Sequence, residues 1–220
     1  MSVKDFVQQR RDDFIALRRD FHMYPEPAWL EYRSAAKVAE KLIALGYDVA
    51  LGAEVLDLDS RMGLPSEDVM KAAMARAMDE GADPELVEKM GYGKTAIVAT
   101  MKFSDDGSVV AFRADMDSND VIESKASNHI PAKNGFRSRH EKAMHACGHD
   151  THMTMGLGLA EYIATHKDGL KGTIKLIFQP AEEGVRGAKA MVYFYIKKTF
   201  TGKLIIPETK IVTLYGTISR

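Results

Sequence analysis

The chain has 220 residues, 45% of them hydrophobic and 28% charged, with a formal net charge of −1. That balance leaves no electrostatic footprint for nucleic acid or an anionic membrane surface, and a lone cysteine, Cys147, excludes an internal disulfide framework and suits a reducing compartment. The start, MSVKDFVQQRRDDF, is too charged for a signal peptide and no apolar run reaches membrane-spanning length, so a cytoplasmic α/β protein is expected.

From Val3 to His22, the apolar Val3, Val7, Phe14, Leu17 and Phe21 recur at roughly helical spacing among charges. This predicts one amphipathic helix stopped at YPEP, where Pro25 and Pro27 cannot continue it. EYRSAAKVAEKLIALG predicts a second helix with Ala35, Val38, Ala39, Leu42 and Leu45 inward and Gly46 as a left-handed C-terminal cap. YDVAL reads as a short strand. A helical insert over about residues 60–92 follows. Ser66 is placed as an N-cap, Met70, Met74 and Met78 fall at i, i+4 spacing, Gly81 is a break, and Pro84 starts the next helix. The methionine stripe suits ordinary packing or a soft partner surface.

KTAIVATMK and SVVAFRAD flank SDDG, which predicts a β-hairpin. VIESKASNHIPAKNGFRSRHEKAM has no period and reads as a long loop, a common place for function. THMTMGLGLAEYIATH predicts a helix with Asp150 as its N-cap, and GTIKLIFQP an apolar strand ended by Pro180. Helices and strands alternate, so a layered α/β sandwich with a mixed, partly parallel sheet is expected. After Val192 the composition changes: YFYIKKTFTGKLIIPETKIVTLYGTISR has no alanine and one acidic residue. Residues 193–220 are expected to be an unrelated tail, from a frame change or a junction.

Three strand-end groups could carry chemistry. In HACGHDTH, Cys147 and His149 are two residues apart, which on a helix would point them to nearly opposite sides. Gly148 permits the unusual backbone a shared site would need. A thiolate and an imidazole converging on one ion is zinc-type chemistry, although C-x-H alone equally fits an inert cysteine beside a surface histidine. In FQPAEEG, Glu182 and Glu183 follow an apolar strand, where α/β folds place their ligands; a solvated acidic turn is the alternative. Asp115 and Asp117 in RADMD also follow a strand and can orient a ligand imidazole or serve as turn and capping residues. No G-x-S-x-G is present, and Cys147 lacks a cysteine-protease signature.

The segments RRDFHMYPEPAWLEYRSAAKVAEKLIALGYDV, GKTAIVATM, VVAFRADMD, HACGHDTHMTMGLGLA and GTIKLIFQPAEEGVRGAKAMV resemble the M20 metallopeptidase family, in its amidohydrolase branch. The resemblance implies a zinc-peptidase-like catalytic domain that hydrolyses the amide of an aminobenzoyl-glutamate or a similar N-acyl amino acid with two divalent metal ions, manganese or zinc. It implies that Cys147 bridges the ions, that His149 and Glu183 each ligate one, and that Glu182 is the general base. Asp115, Asp117 and His145 would support the ligands, and His152 and His22 would be structural.

The resemblance further implies histidine ligands and a lid or dimerisation domain downstream of GAKAMV, yet no histidine follows His166. Residues 1–192 are therefore expected to be the N-terminal part of a truncated catalytic domain with negligible amidase activity alone. A second copy or a homologous B subunit would complete it; otherwise the chain is a non-catalytic remnant with weak metal or partner binding. An incomplete sheet would also leave GTIKLIF as an exposed apolar edge.

Overall fold

The protein is described by a computed structural model that covers residues 1–199 and 209–213. In chain order the helices are α1 (Val3–Gln9), α2 (Arg11–Met23), α3 (Tyr32–Ala44), α4 (Glu67–Asp79), α5 (Pro84–Lys89), α6 (Ile130–Lys133), α7 (His149–Thr165) and α8 (Gly187–Thr199). The strands are β1 (Asp48–Leu51), β2 (Ile97–Lys102), β3 (Val109–Asp115), β4 (Thr173–Gln179) and β5 (Thr209–Thr213). Residues 200–208 and 214–220, much of the segment expected to be a foreign tail, lie outside the described residues. α8 runs across the expected boundary at Val192. No helix among the described residues is long and apolar enough to cross a membrane.

The strands form one mixed sheet in the order β1-β2-β4-β3-β5. β1 and β4 pair antiparallel with β2, whereas β4 and β5 pair parallel with β3. Alternation along each strand sorts side chains to two faces. Ile97, Ala99, Leu176, Phe178 and Ala114 join the main core with α3, α5 and α7, while Ala96 and Val98 face the opposite cluster with Trp29, Val55, Leu56 and Met191 of α8. Helices therefore cover both faces, as a partly parallel sheet requires.

The SDDG segment is not a hairpin turn. β4 lies between β2 and β3, with Val98 opposite Ile177 on one side and Arg113 opposite Ile177 on the other. The physical reason is burial: TIKLIF is apolar on both faces, which suits a central strand better than an edge. For the same reason GTIKLIF is paired on both sides and is not an exposed edge. The SDDG loop instead crosses the start of β4, where Phe103 N donates to the Gly172 carbonyl and Thr173 N to that of Ser108.

Two helix expectations also change. The first helix breaks at Arg10, which closes α1 and opens α2, and Phe6 turns to meet Tyr162 of α7 with ring centroids 5.3 Å apart. The cap of α7 is Gly148, not Asp150. Asp150 sits inside the first turn because a stronger partner set claims it: its Oδ2 lies 2.8 Å from His22 Nδ1 and 2.9 Å from Arg18 Nε. The other ring nitrogen of His22 is 3.0 Å from Glu123 Oε1. Glu123 in turn takes Ser138 N and His129 Nε2. This buried chain ties α2, the long 116–148 loop and the start of α7 together. α3 ends as expected, with Gly46 at φ 82°. Met70 and Met74 are buried and Met78 packs on the main core, so the stripe is packing.

Gly172 has φ +76°, and a Cβ there would lie 2.3 Å from the Ser108 carbonyl oxygen. Gly172→Ala should cost about 2 kcal/mol or more, read from the urea midpoint at unchanged m-value. A change below about 0.5 kcal/mol would show that the crossing over β4 is loose.

Both His22 nitrogens face carboxylates, so both must donate, which makes the ring an imidazolium. Burial opposes that charge, but the bonds to Asp150 and Glu123 prevail and hold its pKa above the ordinary 6.5. The contribution of such a group is complete below the unfolded value and is lost as pH rises through the raised folded value. The stability gap between wild type and His22→Leu should therefore be larger at about pH 6 than at about pH 10. An equal gap at both pH values in thermal melts would show that the ring is not charged in the fold.

Candidate metal centre

β3 and β4 are parallel and in register, with Asp115 opposite Gln179, so they end together at one edge of the sheet. The next residues of each strand build the site. After β3, Asp117 is buried. After β4, Pro180 and Ala181 lead into Glu182 and Glu183, with Ala181 in the left-handed region at φ 52°. The Asp117 carboxylate accepts both backbone amides of that turn, Glu182 N at 3.0 Å through Oδ1 and Glu183 N at 2.9 Å through Oδ2.

Cys147 and His149 arrive from the long loop. Asn119 and Met144 exchange backbone hydrogen bonds, and Asn119 Oδ1 accepts Cys147 N at 3.1 Å. Gly148, at φ 102°, then turns the chain into α7. That backbone lets residues 147 and 149 face one point, which a continuous helix would forbid. His149 Nδ1 lies 2.8 Å from the Asp117 carbonyl oxygen. A carbonyl only accepts, so Nδ1 carries the proton and the Nε2 lone pair is left for a ligand. Nε2 points at the acidic turn, 3.7 Å from Glu182 Oε2 and 3.9 Å from Glu183 Oε1.

Ligand atoms of Cys147, His149 and Glu183 all lie within 4.8 Å of one another. The fold thus brings these three expected ligand residues together, with Glu182 beside them. Asp115, His149 and His152 form a second such group within the same limit. His152 was expected to be structural; the available signal was its i, i+3 spacing from His149, which puts both on one face of α7. Its Nδ1 is 3.5 Å from Asp115 Oδ2 and has no hydrogen-bond partner. His145 is in neither group. It is buried, with both ring nitrogens lacking hydrogen-bond partners, and burial lowers its pKa to about 4.

The electrostatics fit a cation. Burial, and then the charges of Glu183, Glu182 and Asp115, push the Cys147 thiol up to about 11. Burial and Asp115 likewise raise Glu182. Burial opposes a charged His149, yet hydrogen bonding to Asp117 and the Asp117 and Asp115 charges carry its pKa up to about 9. All three shifts have the direction produced by surplus negative charge. Buried Glu183 Oε1 and Asp115 Oδ1 have no hydrogen-bond partner. Orphaned carboxylate oxygens are costly in a fold, and a divalent ion would satisfy them. Thiolate, imidazole and carboxylate together suit zinc and its neighbours.

Beneath the site, two acids in PEPAWLE escaped sequence reading, which took that segment only as a helix stop. Glu26 accepts Arg33 N and Ser34 N at 2.9 and 2.8 Å, capping α3. Glu31, fully buried, accepts Trp29 N, Ala181 N and Thr95 Oγ1. No periodicity marks such residues; only the partners they meet across the fold reveal them.

Comparison with known proteins agrees with this geometry. Residues 111–213 match the model of Peptidase family M20/M25/M40. The chain is 48% identical over 191 residues to the A subunit of p-aminobenzoyl-glutamate hydrolase from Escherichia coli, covering 87% of this chain and 44% of that protein. It is 46% identical over 190 residues to indole-3-acetyl-aspartic acid hydrolase of Enterobacter agglomerans, covering 86% and 44% respectively. A solved Bacillus subtilis structure, described as a dinuclear metal-binding peptidase of the M20 family, superposes with a TM-score of 0.59 at 27% identity over 88% of this chain and 40% of that one. The chain thus spans about 44% of the length of these curated relatives. With its mixed sheet, the strand-end carboxylates and the HACGHD turn, the chain belongs to the M20 peptidase family of hydrolases.

Proposed function

We propose that the chain carries the metal-holding part of a metal-dependent amide hydrolase acting on N-acyl amino acids. The observation that carries this reading is the convergence of Cys147, His149 and Glu183 within 4.8 Å in surplus negative charge, next to Glu182. Substrate class follows from the relatives' names: one hydrolyses p-aminobenzoyl-glutamate, the other indole-3-acetyl-aspartate. Both are aromatic acyl groups in amide linkage to an acidic amino acid, and we assign that class here. The Escherichia coli relative is one subunit of its enzyme, which makes a homologous B subunit or a second copy of this chain the candidate partner. A thiolate ligand suits a reducing compartment such as the cytoplasm.

Cys147 Sγ, His149 Nε2 and Glu183 would hold a divalent ion, zinc or manganese, with a second ion nearby as the family implies. A divalent ion supplies polarisation of the scissile carbonyl and a lowered pKa for the attacking water. Glu182 is the base. Its side chain is 37% exposed, so it reaches solvent and substrate while standing 3.7 Å from His149 Nε2. It takes the water proton and returns it to the amine nitrogen as the C–N bond breaks. Asp117 fixes the geometry, since one carboxylate holds the amides of both glutamates and its carbonyl orients His149. Asp115 and His145 would act from behind, through charge and packing.

Calorimetric titration with zinc or manganese should show binding that Cys147→Ala weakens by about tenfold or more. No binding by the wild-type chain would overturn the metal assignment. In hydrolysis of p-aminobenzoyl-glutamate, Glu182→Gln should lower kcat by about 10²–10⁴ while metal affinity is retained. Turnover indifferent to Glu182→Gln would remove Glu182 from the chemistry. Metal binding by the chain with no turnover above Glu182→Gln would favour the second reading, a metal- or partner-binding module.

A further inference from the structure

The turn that carries Glu182 and Glu183 is held from two sides by buried acids. Asp117 takes the amides of residues 182 and 183; the amide before them, Ala181 N, donates to Glu31 Oε1 at 2.9 Å. Three consecutive backbone N–H groups therefore end on two buried carboxyl groups. Glu31 is fully buried, although it comes from the loop before α3, 150 residues away in sequence from the turn it holds. Its Oε1 also accepts Trp29 N at 3.0 Å, and its Oε2 accepts Thr95 Oγ1 at 2.6 Å.

The backbone explains why a tether is needed there. Ala181 has φ 52° and Trp29 φ 68°, both in the left-handed region that non-glycine residues avoid. Such conformations persist only where surrounding contacts over-determine them. Glu31 Oε1 binds the N–H of both strained residues at once. We propose that Glu31 is a positioning residue: by holding Ala181 in its left-handed conformation it aims Glu182 and Glu183 at Cys147 and His149. This rests on the reading that Glu183 helps to hold a divalent ion. Glu31 touches neither the ion nor the substrate, and acts only through the turn.

The partners of Glu31 separate its hydrogen bonding from its charge. A glutamine side chain at this position would satisfy every partner, because the amide oxygen can accept both N–H groups and the amide N–H can donate to Thr95 Oγ1. Glu31→Gln should therefore behave as wild type, whereas Glu31→Leu removes the acceptor and frees the turn.

The test uses cobalt(II) as the probe on the full chain, read through the sulfur-to-cobalt charge-transfer band, together with amide exchange at residues 181–183. Glu31→Leu should speed exchange at those amides and weaken cobalt binding by about 10–100-fold, with the thiolate band retained because Cys147 is untouched. Glu31→Gln should stay within about threefold of wild type, a rescue that bulk loss of packing would not give. Adding Glu183→Gln to Glu31→Leu should weaken binding no further than Glu183→Gln alone, since both act through one ligand. Unchanged exchange, unchanged cobalt affinity, or losses that add in the double variant would each overturn the proposal. Wild-type cobalt binding by Glu183→Gln alone would instead overturn the assignment of Glu183 as a ligand, and the exchange data then decide the Glu31 tether separately. Should Glu31→Leu not fold, Glu31→Asp, one methylene too short to reach Ala181 N, is read in the same way.

Discussion

The site depends on one residue's two acceptors. The Asp117 carboxylate binds the amides of Glu182 and Glu183, and its carbonyl oxygen receives His149 Nδ1–H. These bonds join the end of β3 to the end of β4 and the first turn of α7. Hydrogen bonds to a charged acceptor are worth about 1.5–3 kcal/mol each, and without them a buried carboxylate would be strongly unfavourable. The parallel β3–β4 pairing makes the arrangement possible, because it brings both strands to the same edge in register. An antiparallel pair would have put Asp117 and the glutamate turn at opposite ends of the sheet.

The same geometry sets up an electrostatic conflict. Asp115, Asp117, Glu182 and Glu183 crowd a thiol and an imidazole, and the thiol, the imidazole and Glu182 all resist losing protons. A site built only for structural stability would replace some of these acids with neutral groups. A divalent cation inverts the pattern, since it favours the thiolate, the neutral imidazole and the ionised carboxylates together. The unpaired, buried oxygens of Glu183 and Asp115 belong to this picture. Affinity for the ion and loss of protons are thus one linked equilibrium.

What the sequence made legible was local. Gly46 at a helix end, the apolar TIKLIF strand and the C-G-H turn each follow from a backbone preference or a burial pattern over a few residues. Strand order was not local. SDDG between two apolar runs has the composition of a hairpin, and nothing within those residues says that β4, which follows much later in the chain, slips between them. Asp150 shows the same limit: its type and place suit a helix cap, but Arg18 and His22 on α2 offer a better-satisfied buried position. Glu31 and His152 were missed for a related reason. A buried acid or imidazole is explained by its partners, and those partners lie at Ala181, Thr95 and Asp115.

The two ligand groups share His149, and that restricts how ions can be arranged. Nδ1 is committed to the Asp117 carbonyl, so His149 has a single lone pair, on Nε2. It can serve an ion with Cys147 and Glu183, or one with Asp115 and His152, but not both. A thiolate and a carboxylate carry several lone pairs and can each contact two cations. Any two-ion arrangement in this chain must therefore be bridged through sulfur or oxygen, with His149 belonging to one ion. The placement of Nε2 towards Glu182 and Glu183 selects the cysteine side for that ion. Asp115 and His152, 3.5 Å apart, then stand as a buried pair behind it, close enough to shape its field without displacing its ligands.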